Sequence, residues 1–552
     1  MTTPKIILLS GQIIDNKISA QKLLELVAAN RGIKASALDK FLSPASPSSL
    51  GPSEFNVSAT QLAKSIKRIN KAIANKEKIL IYGDYDVDGI TSTAILWRSL
   101  TGLGADVTPY IPHREGDGYG VRHDSVKRFS KEKQTNYSLL ITVDNGIVAH
   151  KEIEKIKKDG IDVIIVDHHV PDSSLPQAHS IIHSTDTSGA GLAWFLARQF
   201  DKAADLGLAA LGVVADCLPL FGVNRSIVVH GLQSLRLNPN YGIKKLIDIS
   251  GQKQDNLGSY ELAFILGPRI NAVGRLSNPT DALRLLCSSN SLQATRYAKV
   301  LDGFNQERQQ MQKLSIKNAL ESVDGNKDRI IITADSSYHP GIIGLVAGKL
   351  SEKYYLPSIA ISMDDEISKG SCRSIKELNI IEALRQTSDL LLELGGHEAA
   401  AGFSISTKNI PKFKKAIAKI VNDKLNGLEL SPSVEVDAEM KLSAVNNKNI
   451  LTLNKLEPFG TGNTEPIFLF RHLTVTSKRL VGANGDHLKL KLDDPTTRNN
   501  ENVGTDAIAF RKGELDNVIK TGSQVDLVAK LDINTWNGLS YPQLIVKEIF
   551  AI

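Results

Sequence analysis

The sequence predicts an α/β protein in three parts: a parallel sheet clothed by helices, a second α/β domain beyond a long helix, and a small C-terminal β-barrel. Three observations carry this. From about residue 60, short apolar runs alternate with helical stretches. A polar, helix-prone tract fills 285–322. From about 433, short alternating strands follow one another with turn residues between them.

In chain order, SPASPSSLGPS (43–53) is the stretch closest to a linker in composition, and it sets off an N-terminal segment, 1–55. A helical stretch at 59–76 leads to the apolar run 78–82 and then to a helix from Thr91 to Leu103. The run 138–143 is followed by a charged helix, His150 to Lys158, and by a third run, 162–166. Strands buried on both faces read as continuous apolar runs, and their alternation with helices reads as βαβ units. These belong to a first domain, 56–284. A connecting helix spans 285–326, and a second α/β domain, 327–430, contains the runs 329–333 and 358–362 and an amphipathic helix from Ile381 to Leu394. Residues 431–552 hold six strand-like runs, beginning with VEVDAEMKL and ending with PQLIVKEIF. That texture suits a small closed barrel.

A length of 552 residues suits about three or four domains. Apolar residues at 42% and charged residues at 23% exclude wholesale disorder. The three cysteines form no CxxC pair, which argues against structural zinc or a disulfide framework and for a reducing compartment. The apolar run near Ile6–Leu9 is too short for a signal peptide, and no stretch approaches the roughly 20 apolar residues of a membrane span. A cytoplasmic protein is expected. A net charge of +6 permits a nucleic-acid partner without requiring one.

Each of the three early strands ends in acid: GDYDVDG with Asp84, Asp86 and Asp88; TVDNG with Asp144; VDHHVP with Asp167, His168 and His169. Ligands of parallel α/β sheets bind at the carboxyl ends of the strands. The alternate spacing of Asp84, Asp86 and Asp88 keeps them on one side if the chain stays extended. So many carboxylates repel one another unless cations occupy the site, and Asp with His suits magnesium or manganese. Two such ions about 3.5–4 Å apart could clamp a phosphoryl group.

The second domain carries HPGIIGLVAGKL from His339, SCRS with Ser371, Arg373 and Ser374, and GGHEAAAGFS with Gly395, Gly396 and His397. Glycines before a helix bring backbone amides to an anion, and an arginine can hold a phosphate bidentately. Gly395-Gly396 reads equally well as a helix C-cap. GPRINAVGR, with Arg269, Asn271 and Arg275, is a basic motif that taken alone reads as a surface turn with solvated arginines. PFGTGNTEPIF (458–468) introduces the strand-rich tail. There Lys478, Arg479, Lys489, Lys491, Arg511 and Lys512 could supply charge, and Phe510, Trp536 and Tyr541 could stack on bases, with Phe510 also a candidate for the core.

The DxDxDG, VDNG and VDHHxP motifs, in this order, resemble the DHH phosphoesterase superfamily, and Asp216 in LGVVADCLPL matches its fourth acidic motif. The resemblance implies a DHH domain, a DHHA1 domain and an OB-like barrel. It implies Asp86, Asp88, Asp144, His168 and Asp216 as the main ligands of two divalent ions, manganese or magnesium. Asp84, Asp167 and His169 would be ligands or partners of ligands, with His169 counted in the catalytic set. Substrate would meet His339, Ser371, Arg373, Ser374, Gly396 and His397 on a wall opposite the metals, and Arg269, Asn271 and Arg275 in a DHH-domain element that forms part of the nucleic-acid path. The domain order is similar to the branch of single-stranded-DNA-specific exonucleases that act 5′ to 3′ in recombination and repair. A monomer working with single-strand-binding protein and a helicase is implied. The alternatives are a phosphodiesterase of short oligonucleotides or cyclic dinucleotides, and a non-catalytic replication scaffold. One departure from the family pattern is the segment SIIHSTDTSGAGLAWF, which is shorter than usual and lacks Asn-Pro; Gly189-Ala190-Gly191 and Asp216 remain.

Overall fold

Ile79–Tyr82 and Leu139–Val143 are buried at every position, as continuous apolar strands inside a helix-covered sheet must be. The protein, here a computed structural model, is described for residues 4–113, 118, 120–323, 328–495 and 504–552. Contacts divide it into two units, one of 6–267, 286–289 and 434–552, the other of 1–5, 268–285 and 290–433.

In the first unit, α1 (Ala59–Ala74) precedes β1 (Ile79–Tyr82), α2 (Val87–Gly102), β2 (Val107–Tyr110), β3 (Leu139–Val143), α3 (His150–Lys158), β4 (Asp162–Asp167) and β5 (Ser180–His183). The sheet is parallel, in the order β2-β1-β3-β4-β5. The three acid-tipped strands β1, β3 and β4 therefore lie side by side. The edge strands β2 and β5 escape sequence reading because each has four residues and neither is continuously buried. Three helices follow, α4 (Gly189–Ala197), α5 (Leu206–Ala215) and α6 (Gly222–Leu237).

The second unit holds α7 (Gly267–Leu276, from Pro268 onward) and the long α8 (Ser291–Ser322), which starts later than predicted because Leu285 and Leu286 close a preceding helix. Then come β6 (Ile331–Asp335), α9 (Ile343–Tyr354), β7 (Ser358–Ser362), β8 (Ile367–Arg373), α10 (Ile380–Arg385), β9 (Leu391–Gly396), β10 (Ala400–Ser406) and α11 (Ile410–Leu425), with sheet order β9-β10-β8-β7-β6. The predicted helix from Ile381 to Leu394 is corrected. It ends at Arg385, and its second half is strand β9, whose Leu394 pairs with Phe403. Pairing with β10 overrides the local helical pattern.

The tail closes as predicted. β12 (Phe468–Val481), β13 (His487–Asp493), β14 (Thr505–Ala509), β15 (Gln524–Trp536) and β16 (Leu539–Ala551) run in the order β13-β14-β16-β15-β12, and β12 pairs back to β13. Of the six predicted runs, the first supplies β11 (Ala438–Met440), which stays outside the barrel and pairs in parallel with β12 and with Ile13–Ile14. Leu23, Leu24 and Val27 of the N-terminal helix share the barrel core with Phe468, Leu490 and Leu527. The Pro/Ser stretch 43–53 is held by side-chain donors. Arg198 donates to the carbonyls of Pro47 and Leu50, and Ser226 Oγ to that of Ala45 at 2.5 Å. It reads as a linker because it forms no ladder, yet its carbonyls are satisfied.

Candidate metal centre

Helix α2 begins at Val87, not at Thr91, and this rearranges the first acidic motif. Asp86 is its N-cap and accepts from the Gly89 amide at 3.0 Å, while Asp88 lies in the first turn. The three aspartates are therefore not on one side of an extended chain. They are fanned out by a strand end, a cap and a helical turn. Asp88 is buried against the N-terminus of α4, where Gly189 N donates to Oδ2 at 2.7 Å and Ala190 N to Oδ1 at 3.0 Å. A helix N-terminus supplies unpaired amides and a favourable dipole for an anion. The sequence marked Gly189-Ala190-Gly191 as a landmark; the structure makes its amides part of the site. The approach needs glycine, since a Cβ at Gly189 would meet Asp144 Cβ at 2.7 Å, and one at Gly212 would meet Asp88 Oδ1 at 2.4 Å.

Asp144 follows β3 in the left-handed region, φ 61°. Its Oδ1 is buried without a hydrogen-bond partner and lies 3.1 Å from His168 Nε2. That nitrogen is 3.6 Å from Asp216 Oδ2 and 3.8 Å from Asp88 Oδ2. Asp216 is the C-cap of α5. Asp167 is differently placed. Its Oδ2 accepts from the Ile147 amide at 2.9 Å, and its Oδ1 lies 2.8 Å from both the His168 amide and His169 Nδ1.

Three overlapping ligand sets result: Asp84, Asp86 and Asp144; Asp88, His168 and Asp216; and Asp144, His168 and His169. Among the described residues, no lysine or arginine forms an ion pair with Asp84, Asp86, Asp88, Asp144 or Asp216. Burial, reinforced by Asp86, pushes Asp84 up to about 7. Burial with Asp88 and Asp86 pushes Asp216 up to about 8, and Asp86 and Asp144 rise for the same reasons. Burial also acts on Asp167, but His169 and the backbone amides outweigh it and hold that carboxyl low. Burial lowers His168 against its carboxylate neighbours. It opposes His169 too, but the Asp167 bond and charge prevail and raise that imidazole to about 9. The orphaned Asp144 oxygen and the mutually repelling carboxylates fit divalent cations, which would replace the protons.

A pH dependence follows. Asp84 and Asp216 have ordinary values near 4 when unfolded, so between about pH 4 and pH 8 the native metal-free state binds more protons than the unfolded state. Stability is highest at the acidic end of that window and falls as pH rises through it. Melts of the chelated protein should show Tm dropping from about pH 5 to pH 8, and Mn2+ should reverse the drop. A chelated Tm that is flat or rises across that range would contradict the assignment.

In the second unit, Arg275 Nη1 donates to Gly341 O at 3.1 Å, and His339 Nδ1 accepts from the Gly341 amide at 3.0 Å. A Cβ at Gly344, in the first turn of α9, would meet Arg373 Nη2 at 3.0 Å and Ser371 Oγ at 3.1 Å. The α9 N-terminus thus gathers Arg275, His339, Ser371 and Arg373. Arg269 pairs with Asp302 on α8 at 2.9 Å, and GPRINAVGR is helix, not a surface turn. Ser374 Oγ donates to Leu378 O at 2.6 Å. Gly396, φ 146°, and His397, whose amide donates to Ala400 O at 2.8 Å, form the β9–β10 hairpin. The expectation of glycines before a helix holds for HPGIIG and fails for Gly395-Gly396.

On the barrel, three of the predicted cations are neutralised: Lys478 by Asp516 at 2.9 Å, Lys489 by Asp506 at 2.8 Å and Lys512 by Glu548 at 3.1 Å. Phe510 is half-exposed, not core, and stands edge-on to His487 with ring centroids 5.3 Å apart; Tyr541 is also exposed. The Trp536 side chain lies outside the described residues.

Residues 78–217 match the DHH family N-terminal domain, 327–423 the DHHA1 domain and 436–548 the RecJ OB domain. The single-stranded-DNA-specific exonuclease RecJ of Thermus thermophilus is 32% identical over 497 residues, 86% of this chain and 69% of that protein. The chain belongs to the RecJ family. RecJ of Bacillus subtilis is 36% identical over 505 residues, 88% of this chain and 63% of that protein, so the chain spans less than two thirds of that relative's length. The crystal structure of T. thermophilus RecJ in complex with Mn2+ superposes with a TM-score of 0.81 at 27% identity, covering 99% of this chain and 79% of that one. The match over 436–548 makes the barrel an OB fold. No helix among the described residues is long and apolar enough to cross a membrane.

Proposed function

We propose that this chain hydrolyses 5′-terminal phosphodiester bonds of single-stranded DNA, releasing mononucleotides 5′ to 3′ in recombination and repair. The observation that carries this is the cluster of Asp84, Asp86, Asp88, Asp144, His168 and Asp216, with Asp84, Asp88 and Asp144 buried, in a chain with the RecJ family's domain order. Asp86, Asp88, Asp144, His168 and Asp216 would hold two divalent ions, manganese or magnesium, with Asp84 and Asp167 supporting them. Such ions supply Lewis acidity and an activated water for attack on phosphorus. His168, kept neutral by burial, offers a lone pair. His169, kept cationic by Asp167, brings positive charge to the cluster. Arg373, Ser371, His339 and the α9 N-terminus bind substrate phosphate, aided by Gly396, Ser374 and His397. Arg269, Asn271 and Arg275 line the strand's path. Arg479, Lys491, Phe510 and Tyr541 on the barrel hold further nucleotides by charge and stacking. The protein acts as a cytoplasmic monomer on strands opened by a helicase and coated by single-strand-binding protein.

The test is digestion of 5′- and 3′-labelled single strands with Mn2+ or Mg2+. The 5′ label should leave first as a mononucleotide, and chelator should stop the reaction. Release of the 3′ label first would refute the polarity, and a preference for dinucleotides over long strands would favour a short-oligonucleotide phosphodiesterase.

A further inference from the structure

The PFGTGN turn, Pro458–Asn463, lies outside the acidic cluster but packs against the segment that follows Asp216. Leu220 and Phe221, four and five residues after Asp216, are its partners. The Leu220 amide donates to Thr461 O at 2.9 Å. A Cβ at Gly460 would meet Leu220 Cδ1 at 2.8 Å, and one at Gly462 (φ 76°) would meet the Phe221 ring at 2.6 Å. Gly462 requires glycine through its positive φ and the close ring, while a Cβ at Gly460 would push the tip of Leu220 aside. Phe221 in turn packs against the barrel core.

The turn is itself rigidly held. Buried Asn463 donates through Nδ2 to Leu456 O at 2.8 Å and Pro458 O at 3.0 Å. Buried Arg225, in the first turns of α6, donates to Glu457 O at 2.8 Å and to Phe41 O at 2.5 Å, with its guanidinium 3.6 Å from the Phe41 ring centroid. Ser259 Oγ donates to Phe459 O. Opposite, Asp216 sits between the last turn of α5 and Cys217, which is in the left-handed region at φ 57°. The short segment Cys217–Leu220 is tied to α5 by the Cys217 amide on Val214 O at 3.2 Å and the Leu218 amide on Val213 O at 3.4 Å, and to α6 by Asn224 Nδ2 on Pro219 O at 3.1 Å; the turn grips its far end at Leu220.

We propose that the PFGTGN turn is a strut that positions Asp216, joining the root of the barrel to the metal centre through Leu220 and Phe221. Its residues touch neither metal nor substrate; they are positioning residues. The inference rests on the reading of Asp216 as a metal-holding residue. A partner group that orients a ligand typically changes metal affinity by about 10–100-fold when altered.

The experiment is Mn2+ titration of the full chain, without DNA, followed by EPR of the free ion. Gly460→Ala presses a methyl group onto Leu220 and should weaken Mn2+ binding by about tenfold or more. Trimming the pressed side chain, in Gly460→Ala/Leu220→Ala, should restore much of that affinity. If Gly460→Ala fails to fold, Asn463→Ala, which loosens the turn without adding a clash, carries the same expectation of weakened binding. Wild-type Mn2+ affinity in the folded turn variant overturns the strut, as does a loss that Leu220→Ala does not relieve. Asp216→Asn separates this from failure of the underlying reading. If that variant binds Mn2+ like wild type, Asp216 holds no metal and the strut falls with it; if it loses Mn2+ while the turn variants do not, the strut alone is refuted.

Discussion

Asp144→Asn should abolish nuclease activity and at the same time raise the Tm of the metal-free protein near pH 8. Asparagine is the closest replacement, equal in shape and tolerant of the left-handed φ of 61° that Asp144 adopts. Asp144 lies in two of the three ligand sets, and its buried Oδ1 has no other partner. Losing the carboxylate removes a ligand oxygen shared by those sets, and the rate should fall on the order of 10³-fold or more, the scale of a lost transition-state contact. Stability moves the other way. Burial, then repulsion from Asp88, Asp86 and Asp84, drives the Asp144 carboxyl well above its ordinary range. A neutral amide removes that repulsion, the trade-off expected where a site stores strain for function. The measurements are hydrolysis of a labelled single strand and a thermal melt in chelator. Activity within about tenfold of wild type, or a lower chelated Tm, would remove Asp144 from the metal site.

Gly189→Ala should cost both activity and stability, though the substitution adds a single methyl group to the first turn of α4. That methyl would lie 2.7 Å from Asp144 Cβ and 2.9 Å from its Oδ1. To make room, either Asp144 shifts or α4 withdraws, and withdrawal takes the Gly189 and Ala190 amides off Asp88. Overpacking of this kind costs about 1–3 kcal/mol, and displacing a ligand's support lowers activity by about 10–100-fold. Gly102→Ala is the control, since a Cβ there meets nothing within 4 Å, so its stability should hold or improve by up to about 1 kcal/mol. Denaturant midpoints and initial rates compare the two. If they behave alike, the close approach of α4 to the acidic cluster is not what the glycine serves.

The central strands were legible because burial on both faces writes itself as continuous Ile, Leu and Val. The edge strands β2 and β5 were not, because half-covered strands of four residues lack that signature. The acidic residues were legible as residues but not as geometry. Nothing local distinguishes an extended DxDxD from one whose second Asp caps a helix and whose third lies inside it. Gly395-Gly396 shows the same limit: a hairpin depends on pairing with β10, and cross-strand partners are remote in sequence. The barrel cations Lys478, Lys489 and Lys512 looked available because their carboxylate partners lie 17 to 38 residues away.

The sequence by itself determined the α/β class, the barrel, the positions of the acidic motifs and their preference for a hard divalent cation, because composition, period and residue chemistry are local properties. Tertiary structure alone decided which carboxylates share a site, that Asp88 is anchored by the amides of α4, that Asp167 serves His169, and that the N-terminal segment helps fill the barrel core. Each of these joins groups far apart in the chain at distances near 3 Å or in shared packing, and only the folded backbone brings them together.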